Sequence, residues 1–530
     1  MTVRTRFAPS PTGYLHIGGL RTALYCYLLA KKMGGTFILR IEDTDQERLV
    51  SGSLENLIEN LRWAGLNFDE GPEVGGPFAP YIQSERLDIY KKYAFELVEN
   101  GHAYYCFCKK ETLDEMREQQ KKFSLPPKYD GRCSSLSSKE VAEKLEAKIP
   151  FVLRQKMPTS RRVEFIDNIR GRVKFESKDL EDQVLLKSDG FPTYHLASVV
   201  DDHLMEITHV FRGEEWLPST PKHILLYEAF GWNQPEFAHL PLILNKDRSK
   251  LSKRQNDVST ESYRQKGYIK EAIINFIALL GWNTNDNKEI YTMDELIESF
   301  SIDRVQKSGA IFDLDKLDWY NWQWRRLAYL NELKVVAKKL DPAVEIHEFK
   351  PNHFNFVFSS EHLDQNFTLE RGRKLLELVK GDLSENLLEK QDEDFLLRAL
   401  ITVEEKILQE PAQVMNYISF YFVDKLDYKK EVLLNEKLEV DASVAILVLR
   451  RSAGELTGED FKTPNSLKAR WIELIEIMEV KTGQMLWPCR VALSGEQFSP
   501  GVFEMAWAMG AERAQGRLRA AADYLEKIGS

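Results

Sequence analysis

The apolar period changes once within the first forty residues. Val3 to Phe7 has the make-up of a short strand, and Ile17 to Lys31 carries apolar residues at helical spacing. Between them, Ala8-Pro9-Ser10-Pro11-Thr12-Gly13 concentrates turn formers. A second strand is predicted at Thr36 to Ile41, after Gly34-Gly35. Strand, helix, strand is the order a parallel doubly wound sheet needs, and such sheets bind ligands beyond the carboxyl ends of their strands. The polar run Glu42-Asp43-Thr44-Asp45 falls at one of those ends.

From Gly71 to Phe191 the alternation becomes irregular, with Pro/Gly turns, a cysteine-containing stretch and strand-like runs at Phe151 to Leu153 and Val184 to Lys187. This reads as an insertion. Strand and helix return at Thr208 to Arg212 and Pro221 to Phe230. The pattern therefore predicts an α/β, Rossmann-like doubly wound domain in two halves, 1–70 and 192–255, around an inserted α+β domain at 71–191. A helical region, 256–325, follows. From Arg326 onward the pattern is almost wholly helical, as in Phe395 to Leu408, Asn465 to Met478 and Ala511 to Ile528, giving all-α subdomains at 326–425 and 426–530. Ser499-Pro500 supplies an N-cap and first-turn proline for one of these helices.

A chain of 530 residues with 43% hydrophobic content is too long for one core and fits several domains. Its net charge of -10 excludes a uniformly basic nucleic-acid coat, though not local basic surfaces. Five cysteines are too few for a disulfide framework and suit a reducing compartment, so a cytoplasmic setting is expected. Charged residues at the N-terminus and an apolar maximum, Ala272 to Trp282, too short to span a bilayer give no reason to expect export or a membrane anchor.

Two strings carry chemistry. His16-Ile17-Gly18-Gly19 stands where a loop opens a helix, whose free N–H groups and positive end attract phosphate, and where an imidazole can donate to phosphate oxygens. Four such residues alone fit a histidine in a helix N-cap region beside an ordinary turn better. Lys250-Leu251-Ser252-Lys253-Arg254 ends a basic run that suits clamping a triphosphate, and by itself fits a solvated loop. With its flank from Arg6 to Gly13, the first string resembles the HIGH element of class I aminoacyl-tRNA synthetases in its glutamate-specific form. The second is similar to their KMSKS loop. The strings Gln83-Ser84-Glu85-Arg86, Val199-Val200-Asp201-Asp202-His203 and Phe312-Asp313-Leu314-Asp315-Lys316-Leu317 add to the likeness, and the chain resembles bacterial-type glutamyl-tRNA synthetases.

That resemblance implies activation of L-glutamate by ATP, with Mg2+, and its transfer to tRNA(Glu). It implies catalytic roles for His16, Gly18, Gly19, Lys250, Ser252, Lys253 and Arg254, and nucleotide contacts at Pro9, Ser10, His16, Gly18, Glu215 and Lys253. Arg6, Ala8, Ser10, Glu42, Tyr194, Ser198 and Arg212 are implied to hold glutamate, the arginines at its side-chain carboxylate and Glu42 at its ammonium. Some relatives have asparagine where this chain has Ser198. The implied organisation is an acceptor-binding insertion, a stem-contact region and two anticodon-binding helical subdomains in a monomer. A non-discriminating form that also charges tRNA(Gln), and a glutaminyl-tRNA synthetase, are the alternatives.

Cys106, Cys108 and Cys133 could begin a tetrahedral zinc site, with no fourth ligand evident. Some relatives have histidine two residues after the third cysteine. Here that residue is Ser135, and His102 is the nearby substitute. The aromatic and arginine-rich stretch Trp319 to Arg326 suits either stacking on bases or packing at a domain junction, with packing the commoner use of aromatics at this density.

Overall fold

The computed structural model describes residues 2–251, 259–349, 355–359, 365–427 and 429–529. They form two compact units, Met1–Asn321 and Trp322–Ser530.

The first unit is built on a six-stranded sheet of order β2-β1-β8-β9-β5-β6. Its strands are β1 (Arg4–Phe7), β2 (Thr36–Leu39), β5 (Arg162–Asp167), β6 (Gly171–Glu176), β8 (His209–Gly213) and β9 (Glu236–Leu240). All neighbours pair in parallel except β5 and β6, an antiparallel hairpin at one edge. Helix α1 (Ile17–Lys32) connects β1 to β2 and buries Ile17, Leu20, Ala23 and Leu24, with Lys31 and Lys32 in its last turn, where the helix dipole favours cations. It can end so abruptly because Gly34 takes a left-handed φ of +60° and Gly35 passes against β1. A Cβ on Gly35 would stand 2.0 Å from the Val3 carbonyl oxygen, so no other residue fits there.

Strands β5 and β6 correct the reading of 71–191 as separate from the main sheet. β5 buries Val163, Phe165 and Asp167 and exposes the residues between, and pairs Asp167 with Phe237 of β9. On its other side the Arg162–Glu176 (2.9 Å) and Arg172–Glu164 (2.7 Å) pairs tie it to the edge strand β6. Charges on an edge strand blunt its tendency to add further strands, and they also hide the strand pattern. A separate antiparallel sheet within 71–191 has the order β3-β4-β7, from β3 (Ala103–Cys106), β4 (Val152–Gln155) and β7 (Val184–Leu186). Two further helices of the first unit, α2 (Tyr194–Leu204) and α3 (Thr220–Ala229), share one apolar core.

In the second unit the helices Ala442–Glu455, Pro464–Ile477, Thr482–Ser494 and Val502–Gly529 contribute to one core. Trp471 is fully buried there and donates from its indole to Ser452 Oγ at 3.0 Å. Three helical expectations are corrected. The run Phe395 to Leu408 is two helices, Glu393–Ile401 and Glu404–Gln409, because Thr402 turns its hydroxyl back to the Ala399 carbonyl (2.7 Å) and Val403 leaves helical geometry. Ser499-Pro500 precedes a helix that starts at Val502, and Gly501, whose carbonyl accepts from Met505 N–H, occupies the cap. Glu345–Phe349 and Asn355–Ser359 form an antiparallel hairpin inside a stretch expected to be helical. The aromatic stretch lies in the helix Leu314–Leu340 and is mostly inside, with Tyr320 1% and Trp324 7% exposed. Among the described residues, no helix is long and apolar enough to cross a membrane.

Candidate active site

Strand order reverses between β1 and β8, where β1 leads through α1 to β2 on one side and β8 adjoins β9 on the other. A crevice opens there, as doubly wound sheets require. Its cavity measures about 1070 Å³ and is walled by Arg6, Ala8, Pro9, Ser10, His16, Gly18, Gly19, Glu42, Tyr194, Arg212, Glu215 and Lys250, which brings together most of the residues singled out in the sequence. Ser252, Lys253 and Arg254 lie outside the described residues.

His16 is the N-cap of α1. Its Nδ1 accepts the Gly19 N–H at 3.1 Å, so in the neutral ring the proton sits on Nε2. The capping and phosphate readings are therefore compatible: one ring nitrogen closes the helix and the other is a donor. Gly18 leaves room for this, because a Cβ there would approach the imidazole to 3.1 Å. Also on the cavity wall, Glu215 accepts from Lys250 Nζ at 3.2 Å. Lys246, in the same basic run, pairs with Asp313 (3.0 Å) and Asp315 (2.8 Å), which accounts for the acidic residues of the 312–317 string.

The two arginines expected at the substrate carboxylate stand in different electrostatic settings. Arg6 is buried and donates from Nε to Asp202 Oδ1 at 2.9 Å. Asp202 also receives Arg40 Nη1 (2.7 Å), and Arg40 Nη2 reaches Glu42 Oε1 (2.9 Å). Behind them Asp201 accepts from Arg86 Nε, Gln83 Nε2 and Tyr90 Oη within 2.7 to 2.9 Å. Three guanidiniums thus balance three carboxylates in a buried network that explains the strings holding Gln83, Arg86, Asp201 and Asp202. Burial alone would raise the Asp202 carboxyl, but Arg6 and Arg40 outweigh it and hold it below the ordinary range. For Glu42 burial prevails over Arg40 and Arg6, and its pKa rises.

Arg212, at the end of β8, has neutral partners. Nε donates to His239 Nε2 (3.0 Å), Nη1 to Tyr194 Oη (2.9 Å) and Nη2 to Thr220 Oγ1 (2.8 Å), while His223 Nδ1 lies 3.3 Å from Nη1. Among the described residues no carboxylate pairs with it. Burial, then the Arg212 charge, keep His223 far below the ordinary imidazole range. Tyr194 packs on Trp216, whose ring centroid is 4.6 Å away and which also faces the cavity. Trp216 was not singled out in the sequence, and neither were Arg40, Asp167, His223 and His239. Arg40 stands two residues before Glu42 and Trp216 directly after Glu215, so both lay beside singled-out residues, whereas Asp167, His223 and His239 come from elements that no local spacing links to the motifs. Ser198 is the exception among the implied substrate contacts: it is 1% exposed, stands apart from the cavity wall, and accepts from Arg40 Nη2 at 3.4 Å.

Away from the cavity, the Cys106, Cys108 and Cys133 sulfurs lie within 4.8 Å of one another. The fourth group is the Tyr129 hydroxyl, 3.4 Å from Cys106 Sγ and 3.6 Å from Cys108 Sγ, and it accepts the Cys133 N–H at 3.1 Å. His102 is not in the cluster, and the Ser135 hydroxyl turns to the Arg132 carbonyl. The hydrogen bond from Cys133, with lesser help from Tyr129, draws the Cys106 thiol down to about 4. The three sulfurs supply three of the four corners of a tetrahedral zinc site, and the Tyr129 oxygen is the polar group beside them.

Comparison with known proteins agrees with this geometry. Residues 2–319 match the family model for the class I tRNA synthetase catalytic domain (E and Q), and residues 373–522 match an anticodon binding domain. The chain is 43% identical to the glutamate–tRNA ligase of Chloroherpeton thalassium, over 99% of this chain and 98% of the relative. It is 42% identical to that of Clostridioides difficile, over 98% of each. The crystal structure of a glutamate tRNA ligase from Elizabethkingia meningosepticum, in complex with its amino acid, superposes with a TM-score of 0.80 at 37% identity, covering 99% of this chain and 100% of that one. With its switch-point cavity, its paired motifs and full-length similarity of this order, the chain belongs to the bacterial glutamyl-tRNA synthetases, the class I glutamate–tRNA ligases.

Proposed function

We infer that this chain joins L-glutamate to tRNA(Glu) in two steps at the switch-point cavity. The carrying observation is Arg212: a guanidinium on the cavity wall whose partners are all neutral is an unmatched positive charge, and it favours a side-chain carboxylate over a carboxamide. Glu42, which also lines the cavity, receives the ammonium. Arg6 is already matched by Asp202 and contributes geometry and one face of the pocket.

In the first step an oxygen of the substrate α-carboxylate attacks the α-phosphorus of ATP, a phosphorus–oxygen bond forms and pyrophosphate leaves. Charge grows on the phosphate oxygens, and His16 Nε2–H and the N-terminus of α1 are placed to stabilise it. Lys250 supplies positive charge on the same wall, and Ser252, Lys253 and Arg254 are assigned to the same task. Mg2+ accompanies the triphosphate and shields its charge. In the second step a hydroxyl of the terminal adenosine of tRNA attacks the activated carbonyl and AMP leaves. No protein nucleophile is required. We assign 71–191 to the acceptor end, 256–325 to the stem, and 326–425 and 426–530 to the anticodon, in a cytoplasmic monomer. Cys106, Cys108, Cys133 and Tyr129 are assigned to a structural zinc.

The test is charging of purified tRNA(Glu) and tRNA(Gln) with glutamate or glutamine. Glutamate on tRNA(Glu) is the expected product. Glutamine charging at a comparable kcat/KM would overturn the reading, and glutamate on both tRNAs would make the chain non-discriminating.

A further inference from the structure

Behind Arg212, outside the cavity wall, stands a pair of residues with no assigned role. His239 Nε2 takes the Arg212 Nε–H at 3.0 Å, and His239 Nδ1 lies 2.5 Å from Asp167 Oδ2. A guanidinium has no lone pair to offer, so His239 Nε2 must be the bare nitrogen and Nδ1 must carry the proton, donated to Asp167. Asp167 is itself fixed by the N–H groups of Ile169 (3.0 Å) and Arg170 (2.8 Å). Both side chains are fully buried. The carboxylate comes from β5, the imidazole from β9 and the guanidinium from β8, so three strands converge on one hydrogen-bonded line.

We propose that Asp167 and His239 are positioning residues that lock the Arg212 guanidinium in the plane needed to grip a substrate carboxylate, and thereby set preference for glutamate over glutamine. Without a carboxylate at 167 the imidazole is free to place its proton on Nε2, facing the Arg212 Nε–H. Donor would then meet donor, and the guanidinium would turn away. This rests on the reading of Arg212 as the carboxylate's partner.

The test uses the full chain, tRNA(Glu), ATP and either amino acid. Asp167→Asn keeps the shape but allows its amide to donate to His239 Nδ1. It is expected to raise the glutamate KM roughly tenfold to a hundredfold, the effect of losing a hydrogen bond to a charged group. The ATP KM should stay within about twofold, as befits a defect confined to the amino-acid pocket. In an Arg212→Gln background the same substitution should have no further effect. His239→Gln, which keeps an acceptor for Arg212, should retain far more glutamate affinity than His239→Leu. This second pair decides the matter if Asp167→Asn does not fold. An unchanged glutamate KM in Asp167→Asn, an equal rise in the ATP KM, or equal behaviour of the two His239 variants would overturn the proposal while leaving Arg212 in place. If Arg212→Gln itself leaves the glutamate KM unchanged, the reading of Arg212 falls and the pair with it.

Discussion

Asp202 separates the duties of the two arginines. It compensates Arg6 and Arg40 together, at 2.9 and 2.7 Å, inside a buried network that reaches the cavity only at Arg6 and Glu42. Asp202→Asn would leave two buried guanidiniums with one carboxylate fewer, and breaking such a pair costs about 3–5 kcal/mol. Thermal unfolding should show a loss of this order, well above that of Arg212→Gln, which removes a cation from neutral partners. A comparable loss in both variants would contradict this division of labour. Glu42 gives a second expectation. Its carboxylate must be ionised to hold an ammonium, and its pKa is raised by burial. Affinity for glutamate, measured by titration calorimetry with tRNA present and ATP left out so that no turnover occurs, should therefore fall as pH is lowered through a value above 4.5, the ordinary one for this group. Binding in that range should release a proton to buffer. A flat profile down to the ordinary carboxylate range would exclude Glu42 as the ammonium's partner.

At the scale of elements, the sequence was readable where one pattern dominates. Turn, helix and strand from Ala8 to Leu39 follow from the Pro/Gly clusters and the 3.6-residue period, and in the fold they bring His16, Gly18 and Gly19 to the cavity wall. Strands β5 and β6 were hidden because their alternating positions carry Arg162, Glu164, Arg172, Lys174 and Glu176, which read as surface loop until cross-strand pairing explains them. Ser198 was misplaced for another reason: sequence tells which residues share a helix face, and the carbonyl-end cavity touches only the first turn of α2, at Tyr194. The Cys106–Cys108 element is a third case. Sequence supplied three sulfurs, and Tyr129, reached only through folding, supplied the fourth group. Metal analysis of the purified chain should find one zinc per molecule. Cys133→Ser should lose most of it and Tyr129→Phe should bind more weakly, with charging activity reduced far less than metal content. A chain free of zinc after purification without chelators would exclude the site.

At the scale of the molecule, the first unit concentrates imidazoles that folding keeps neutral. Burial, with Lys222 and Arg212 adding to it, takes His195 from 6.5 down to about 4, and burial likewise lowers His223 and His239. In the unfolded chain each would take up a proton near pH 6.5, so below that pH the unfolded state binds more protons than the folded one and stability falls. For His195 the loss begins near pH 6.5 and is complete near pH 4, amounting to ~3 kcal/mol at that end. All three belong to the elements that hold Arg212: His195 lies in α2, His223 in α3 and His239 in β9. Acid should therefore loosen the amino-acid side of the cavity before it affects the helices around Trp471. Hydrogen exchange on the full chain, corrected for the intrinsic pH dependence, should show amides of β8, β9, α2 and α3 losing protection between pH 7.5 and 5.5. The helices Pro464–Ile477 and Val502–Gly529 should keep theirs over the same range. In His195→Asn the loss in the first group should be smaller by about 1 kcal/mol, the share of one imidazole over one pH unit below 6.5. Equal loss in both groups, or no change in His195→Asn, would mean that these buried imidazoles do not set the acid stability of the site.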